Sequence, residues 1–137
     1  MTLQFLGGVE DVDALVASVA ASVRGIAPFT LALGGAGAFP AAARASVVWL
    51  GVSTGADRLA ELAAAIVAAP GGRPFRPHLT IARARAPRDL CALVEHLRRG
   101  SAGPPWTVDE VVLFESDTRA DGAVHTPQIE FGLGGEG

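Results

Sequence analysis

The sequence predicts an α+β domain built on largely antiparallel sheets. Stretches with strand alternation and stretches with helical spacing succeed one another along 137 residues, some neighbours joined by tight turns and others by helices. Half of the residues are hydrophobic, and a chain of this length can bury a core without disulfides. No Ser/Pro-rich stretch or charge run interrupts it, so residues 1–137 are expected to form a single domain. A coarse echo runs through it: a strand of apolar-Thr-apolar type, a helix and two strands, first from Thr2 and again from His78.

The elements follow in order. Met1 to Leu6 is a short apolar segment read as a strand, ended by Gly7 and Gly8. From Asp11 to Arg24, Val12, Leu15, Val16, Val19 and Val23 recur at helical spacing, with Asp11 placed to cap the first turn. Gly25 and Pro28 stop that helix. Phe29 to Leu33 alternates as a strand, and the Gly/Ala segment to Pro40 reads as a loop. Ser46 to Val52 is almost wholly apolar and is predicted to be a central strand. Thr54 to Asp57 resembles a capping box opening a helix with Leu59, Leu62, Ala63, Ile66 and Val67 on one face. A loop at 70–74 leads to a strand from His78 to Arg85. Pro87 is expected to start a helix that turns Leu90, Leu93, Val94 and Leu97 inward. Val108 to Phe114 and His125 to Leu133 close the chain as two strands joined through Ala120-Asp121-Gly122.

Composition narrows the function. The net charge is −3 and all 11 basic residues are arginine. Broad electrostatic attraction to nucleic acid is therefore not expected, whereas a local arginine-lined cleft is compatible. One cysteine excludes a disulfide framework and a cysteine-based zinc cluster. No apolar run approaches the ~20 residues of a membrane span, and no charged-then-apolar leader opens the sequence. A cytoplasmic protein is the expectation.

The sharpest local feature is Arg76-Pro77-His78-Leu79-Thr80-Ile81. In a strand His78 and Thr80 share a face, ~6–7 Å apart, with Leu79 and Ile81 turned to the core. An imidazole can move a proton near neutral pH, and a hydroxyl can bind a phosphate or carbonyl oxygen. The alternative is a solvated strand face on which polar residues naturally alternate. His96 reads as a surface helix position and His125 as an exposed strand start after the Asp-Gly turn. The three histidines have no metal-ligand spacing. Cys91, on an amphipathic helix, reads as a half-buried small residue with no base placed for it. Two glycine clusters, 34–37 and 132–137, imitate dinucleotide-binding turns. Pro40 interrupts the first pattern and the second lies at the chain's end, so both read as loops.

Pro77-His78-Leu79-Thr80-Ile81-Ala82-Arg83 resembles the second HxTx motif of the 2H phosphoesterases, closest to the bacterial RNA 2′,3′-cyclic phosphodiesterase (2′-5′ RNA ligase-like) group. Thr2-Leu3-Gln4-Phe5-Leu6-Gly7 is similar to the tail of that family's first motif, HLTLxFLG. Val108 to Ser116 is similar to its VDEVVLxxS strand. Gly122 and the strand after it resemble the closing G-x-x-Y-T segment, with His125 where tyrosine is usual. The resemblance runs through the whole chain in consistent order.

It implies a bilobal fold with helices outside, in which two β-α units each contribute one HxTx to a central cleft. The implied reaction is metal- and cofactor-independent hydrolysis of 2′,3′-cyclic phosphates on RNA ends or nucleotides to 2′-phosphates, with 2′-5′ RNA ligation as a companion activity. His78 would be the general base, and Thr80 and Thr2 would bind the phosphate. The resemblance gives Arg83 a phosphate role too, although strand alternation points it away from His78 unless a bulge redirects it, and a surface salt bridge is the alternative. Arg76 is a candidate for the cleft rim. Phe5 belongs by parity with Leu3 on the core face, with base stacking as the alternative.

The family's first-motif histidine, its implied acid, would fall one position before Met1, and the usual preceding strand and helix would lie further upstream. The expectation is a start placed too late. The competing reading is a catalytically impaired module that binds a nucleotide or RNA end. Loss of that strand and helix would expose apolar surface, so self-association is expected of this form.

Overall fold

A computed structural model describes residues 1–66, 75–100 and 102–134. Helix α1 (Val12–Val23) starts where Asp11 Oδ1 accepts the Ala14 N–H at 3.0 Å. Its inward stripe is Val19 and Val23, flanked by half-buried Leu15 and Val16, while Val12 stays on the solvent side at 49% exposure. Strands β1 (Phe29–Ala41) and β2 (Arg44–Thr54) form a long antiparallel hairpin. Helix α2 (Ala56–Ile66) follows Gly55, whose φ of +83° no side chain adopts easily and whose added Cβ would strike the Thr30 carbonyl. Leu59, Leu62, Ala63 and Ile66 are all buried, as their spacing predicts. Val67 and the predicted loop at 70–74 lie outside the described residues.

Strand β3 (Leu79–Arg88) pairs with β2, and the short β4 (Trp106–Val108) pairs with β1, giving an antiparallel sheet in the order β3-β2-β1-β4. Strand β2 is therefore interior, in agreement with its apolar sequence. Helix α3 (Cys91–Arg99) lies against β1, where Arg98 Nε donates to the Ala36 carbonyl at 3.1 Å. Strands β5 (Glu110–Arg119) and β6 (Gly122–Gly132) form a separate two-stranded ribbon closed by Ala120 and Asp121. The main core gathers Val19, Val23, Phe29, Leu31, Leu59, Leu62, Phe131 and Leu133, so the base of the ribbon is anchored against α1 and α2. Burial of each such large side chain stabilises the fold by about 1.5–3 kcal/mol. The α+β class and antiparallel sheets agree with the sequence.

Four local expectations need correction. Met1 to Leu6 forms no strand. β3 and β4 already flank the β2–β1 pair, and residues 1–6 have no regular ladder. Without a pleat, parity fails: Leu3 packs against the core while Phe5 is 80% exposed. The Gly/Ala segment is strand, not loop. Gly34 and Gly37 sit where an added Cβ would collide with Ser53 and with the Trp49 indole, so these glycines mark close approach within a sheet. Pro87 does not open α3, because β3 continues through Arg88, paired with Ala45. A proline is tolerated there because β3 is an edge strand. Instead, the Asp89 carboxylate accepts the Cys91 N–H at 3.0 Å. On the short α3, Val94 is 1% exposed but Leu93 is 41% exposed and Cys91 is exposed rather than half-buried.

Candidate active site

The site begins with β2 and its neighbour. Gly37 stands opposite Trp49, and its missing side chain lets the indole lie flat across β1. Phe39 packs on that indole with ring centroids 5.4 Å apart. His78, one residue before β3, sets its imidazole edge-on against both rings, 5.3 Å from Phe39 and 6.3 Å from Trp49. Its Nδ1 lies 2.6 Å from the Arg76 carbonyl oxygen. A carbonyl can only accept, so Nδ1 carries the proton and the Nε2 lone pair is free. The bed has one unsatisfied group: Trp49 Nε1 is buried without a hydrogen-bond partner among the described residues.

A cleft of about 250 Å³ opens over this bed, lined by Met1, Thr2, Phe5, His78, Leu79, Thr80, Arg83 and His125. The residues singled out from sequence, His78, Thr80, Thr2 and Arg83, thus meet in one place. Arg83 reaches it through a bulge. Trp49 pairs with Thr80 and Val48 with Ala82, leaving Ile81 as the extra residue. The bulge shifts parity by one, so Arg83 shares a face with Thr80, and Ile81 is 45% exposed rather than turned to the core. Arg76 contributes its backbone carbonyl and is not among the lining residues. His96 is exposed in the last turn of α3, away from the cleft lining.

Sequence reasoning misses two lining residues. Strand parity sends Phe5 to the core, but residues 1–6 have no pleat to impose it. His125 reads from sequence as an exposed strand start. It is exposed, yet it lines the cleft from β6, with Nδ1 2.8 Å from Ser116 Oγ on β5. The available signal is the alignment of His125 with a tyrosine of the resembling family. Among the described residues lining the cleft none is a carboxylate, which suits an anionic ligand beside Arg83.

Comparison with known proteins agrees with this architecture. The sequence profile of the 2′-5′ RNA ligase superfamily matches residues 1–120. The RNA 2′,3′-cyclic phosphodiesterase of Aquifex aeolicus is 32% identical over 98% of this chain and 78% of its own length. The crystal structure of TT0787 of Thermus thermophilus superposes with a TM-score of 0.74 at 29% identity, covering 98% of this chain and 78% of that one. E. coli LigT in its apo form gives a TM-score of 0.69 at 28% identity, covering 96% and 73%. LigT has also been solved with 3′-AMP, a structure that matches with a TM-score of 0.64 at 28% identity over 96% and 74%. The fold and the His78/Thr80 cleft are those of a 2H phosphoesterase. The chain belongs to the 2′-5′ RNA ligase superfamily.

Proposed function

We propose that this cleft hydrolyses 2′,3′-cyclic phosphates on RNA ends or nucleotides, leaving a 2′-phosphate. The observation that carries the reading is the convergence of His78, with Nε2 free, and Thr80, Thr2 and Arg83 on one small cleft. His78 Nε2 takes a proton from water as its oxygen attacks phosphorus. The two hydroxyls and the Arg83 guanidinium hold the non-bridging oxygens, whose negative charge they stabilise as it is redistributed. Acceleration comes from positioning and charge stabilisation by these side chains. A 5′-hydroxyl in place of water gives 2′–5′ ligation by the same proton transfers. The Aquifex relative's name and the 3′-AMP complex of LigT support a nucleotide phosphate as the ligand.

The test is incubation of the protein with a nucleoside 2′,3′-cyclic phosphate in excess EDTA, with the product identified by phosphorus NMR. The 2′-phosphate is expected. A 3′-phosphate, or nucleotide binding by calorimetry without any product, would overturn the reading.

A further inference from the structure

We infer that His125, held by Ser116, is the proton donor to the leaving oxygen; the inference rests on the cyclic-phosphate reading of the cleft. In-line displacement at phosphorus needs one group to accept the water proton and another, across the cleft, to supply one to the departing ribose oxygen. Two imidazoles line this cleft from different sheets: His78 from the β3 side and His125 from β6.

The partners of their Nδ1 atoms differ in kind. His78 faces a carbonyl, which only accepts, so its ring is fixed with Nε2 as a base. His125 faces the Ser116 hydroxyl at 2.8 Å, which can both donate and accept. That bond survives whether His125 is imidazolium or neutral, so the ring can give up its Nε2 proton and regain it without losing its anchor. Ser116 and His125 are direct cross-strand partners, which fixes the pair on the ribbon.

The surrounding charge fits the role. On the ribbon face that carries His125, the register places Phe114, Ser116, Thr118, Ala123 and Pro127, none of them ionisable. Glu115 and Asp117 fall on the opposite face, where Gln128 Nε2 donates to Glu115 at 3.2 Å and Arg119 Nε donates to Asp117 at 3.0 Å. From the other cleft elements the ionisable lining residues are His78, Arg83 and the N-terminal residue Met1. No carboxylate there competes with the phosphate for the imidazolium.

The step balances. Water's oxygen bonds to phosphorus and its proton passes to His78 Nε2. The bond from phosphorus to O3′ breaks with its electron pair on O3′, which takes the Nε2 proton of the His125 imidazolium. His78 has gained one proton and His125 has lost one, and exchange with solvent resets both.

The experiment measures kcat and KM against pH in EDTA for the 137-residue chain, His125→Ala and His125→Gln, on a nucleoside 2′,3′-cyclic phosphate. Both variants are expected to lose about 10²–10⁴-fold in kcat at neutral pH. KM should move by less than about threefold, because the lost interaction acts in the transition state. The alkaline limb of the kcat profile should vanish while the acid limb, set by His78, remains. The Gln variant keeps a hydrogen-bonding group opposite Ser116, so its loss isolates proton transfer from ribbon structure, and equal thermal melts confirm the fold. A variant within about threefold of the parent kcat, or one that keeps the alkaline limb, would overturn the role of His125 while leaving the cyclic-phosphate reading intact. Failure of the parent chain itself to turn over would overturn that reading, and this inference with it.

Discussion

His78 Nδ1 and the carbonyl oxygen of Arg76 lie 2.6 Å apart, two residues away in sequence, across Pro77. Because the acceptor belongs to the backbone, the imidazole is oriented by the chain's own path into β3 rather than by a second side chain. Phe39 and Trp49 hold the ring from two other directions. In the neutral ring the proton is therefore expected on Nδ1, with Nε2 bare. Long-range proton–nitrogen correlation spectra of the nitrogen-15 labelled protein should show this tautomer for His78. The opposite tautomer would remove its role as a base through Nε2.

Arg83 is on the cleft because Ile81 is bulged. A guanidinium bound to a phosphate oxygen is worth about 1.5–3 kcal/mol. Arg83→Ala should accordingly raise KM for the cyclic nucleotide by roughly 10–100-fold. Arg24→Ala, at the far end of α1, should leave KM unchanged. Equal effects of the two would mean that only general charge, not the bulge, matters.

This bulge marks the boundary of what is legible in the sequence. The α+β class, α1 and its cap, the buried face of α2 and the interior position of β2 follow from spacing and composition, because burial imposes a period that residues display directly. The His78/Thr80 pair is visible for the same reason. What stays hidden depends on contacts between distant segments. Gly37 looks like a loop residue until Trp49 is laid over it, and Arg83 looks misdirected until β2 imposes its register. Leu93 and Phe5 look like core until a short helix and an unpaired segment leave them outside. His125 becomes a cleft residue only when the ribbon folds back toward β3.

Gly37 makes the bed of the site possible through space rather than backbone conformation. Gly37→Ala should force Trp49 and, through it, His78 to shift, at a cost of about 1–3 kcal/mol from overpacking. Urea unfolding should show a lower midpoint with an unchanged slope. Gly8→Ala, where no atom lies within 4 Å of an added Cβ, provides the comparison. Equal stability of Gly37→Ala and the parent would contradict the close approach.

Cys91 is exposed, yet its thiol is held protonated. A hydrogen bond to the Asp89 carboxylate is the main cause pushing its pKa up, and the same residue's contacts hold Asp89 below the usual carboxylate range. Because a raised thiol pKa leaves less thiolate at any given pH, iodoacetamide should label Cys91 more slowly at about pH 8 than it labels a free cysteine peptide. Asp89→Asn should speed the labelling. Faster labelling of the parent protein would contradict this arrangement.

The central claim is that the cleft around His78 performs phosphoryl chemistry by proton transfer. The most direct measurement is the rate of 2′,3′-cyclic nucleotide hydrolysis in excess EDTA by the parent chain and by His78→Ala, both shown folded by thermal melting. Turnover in EDTA that falls by about 10²–10⁴-fold in the variant is the predicted result. Equal rates for the two proteins, or activity that EDTA abolishes, would contradict it.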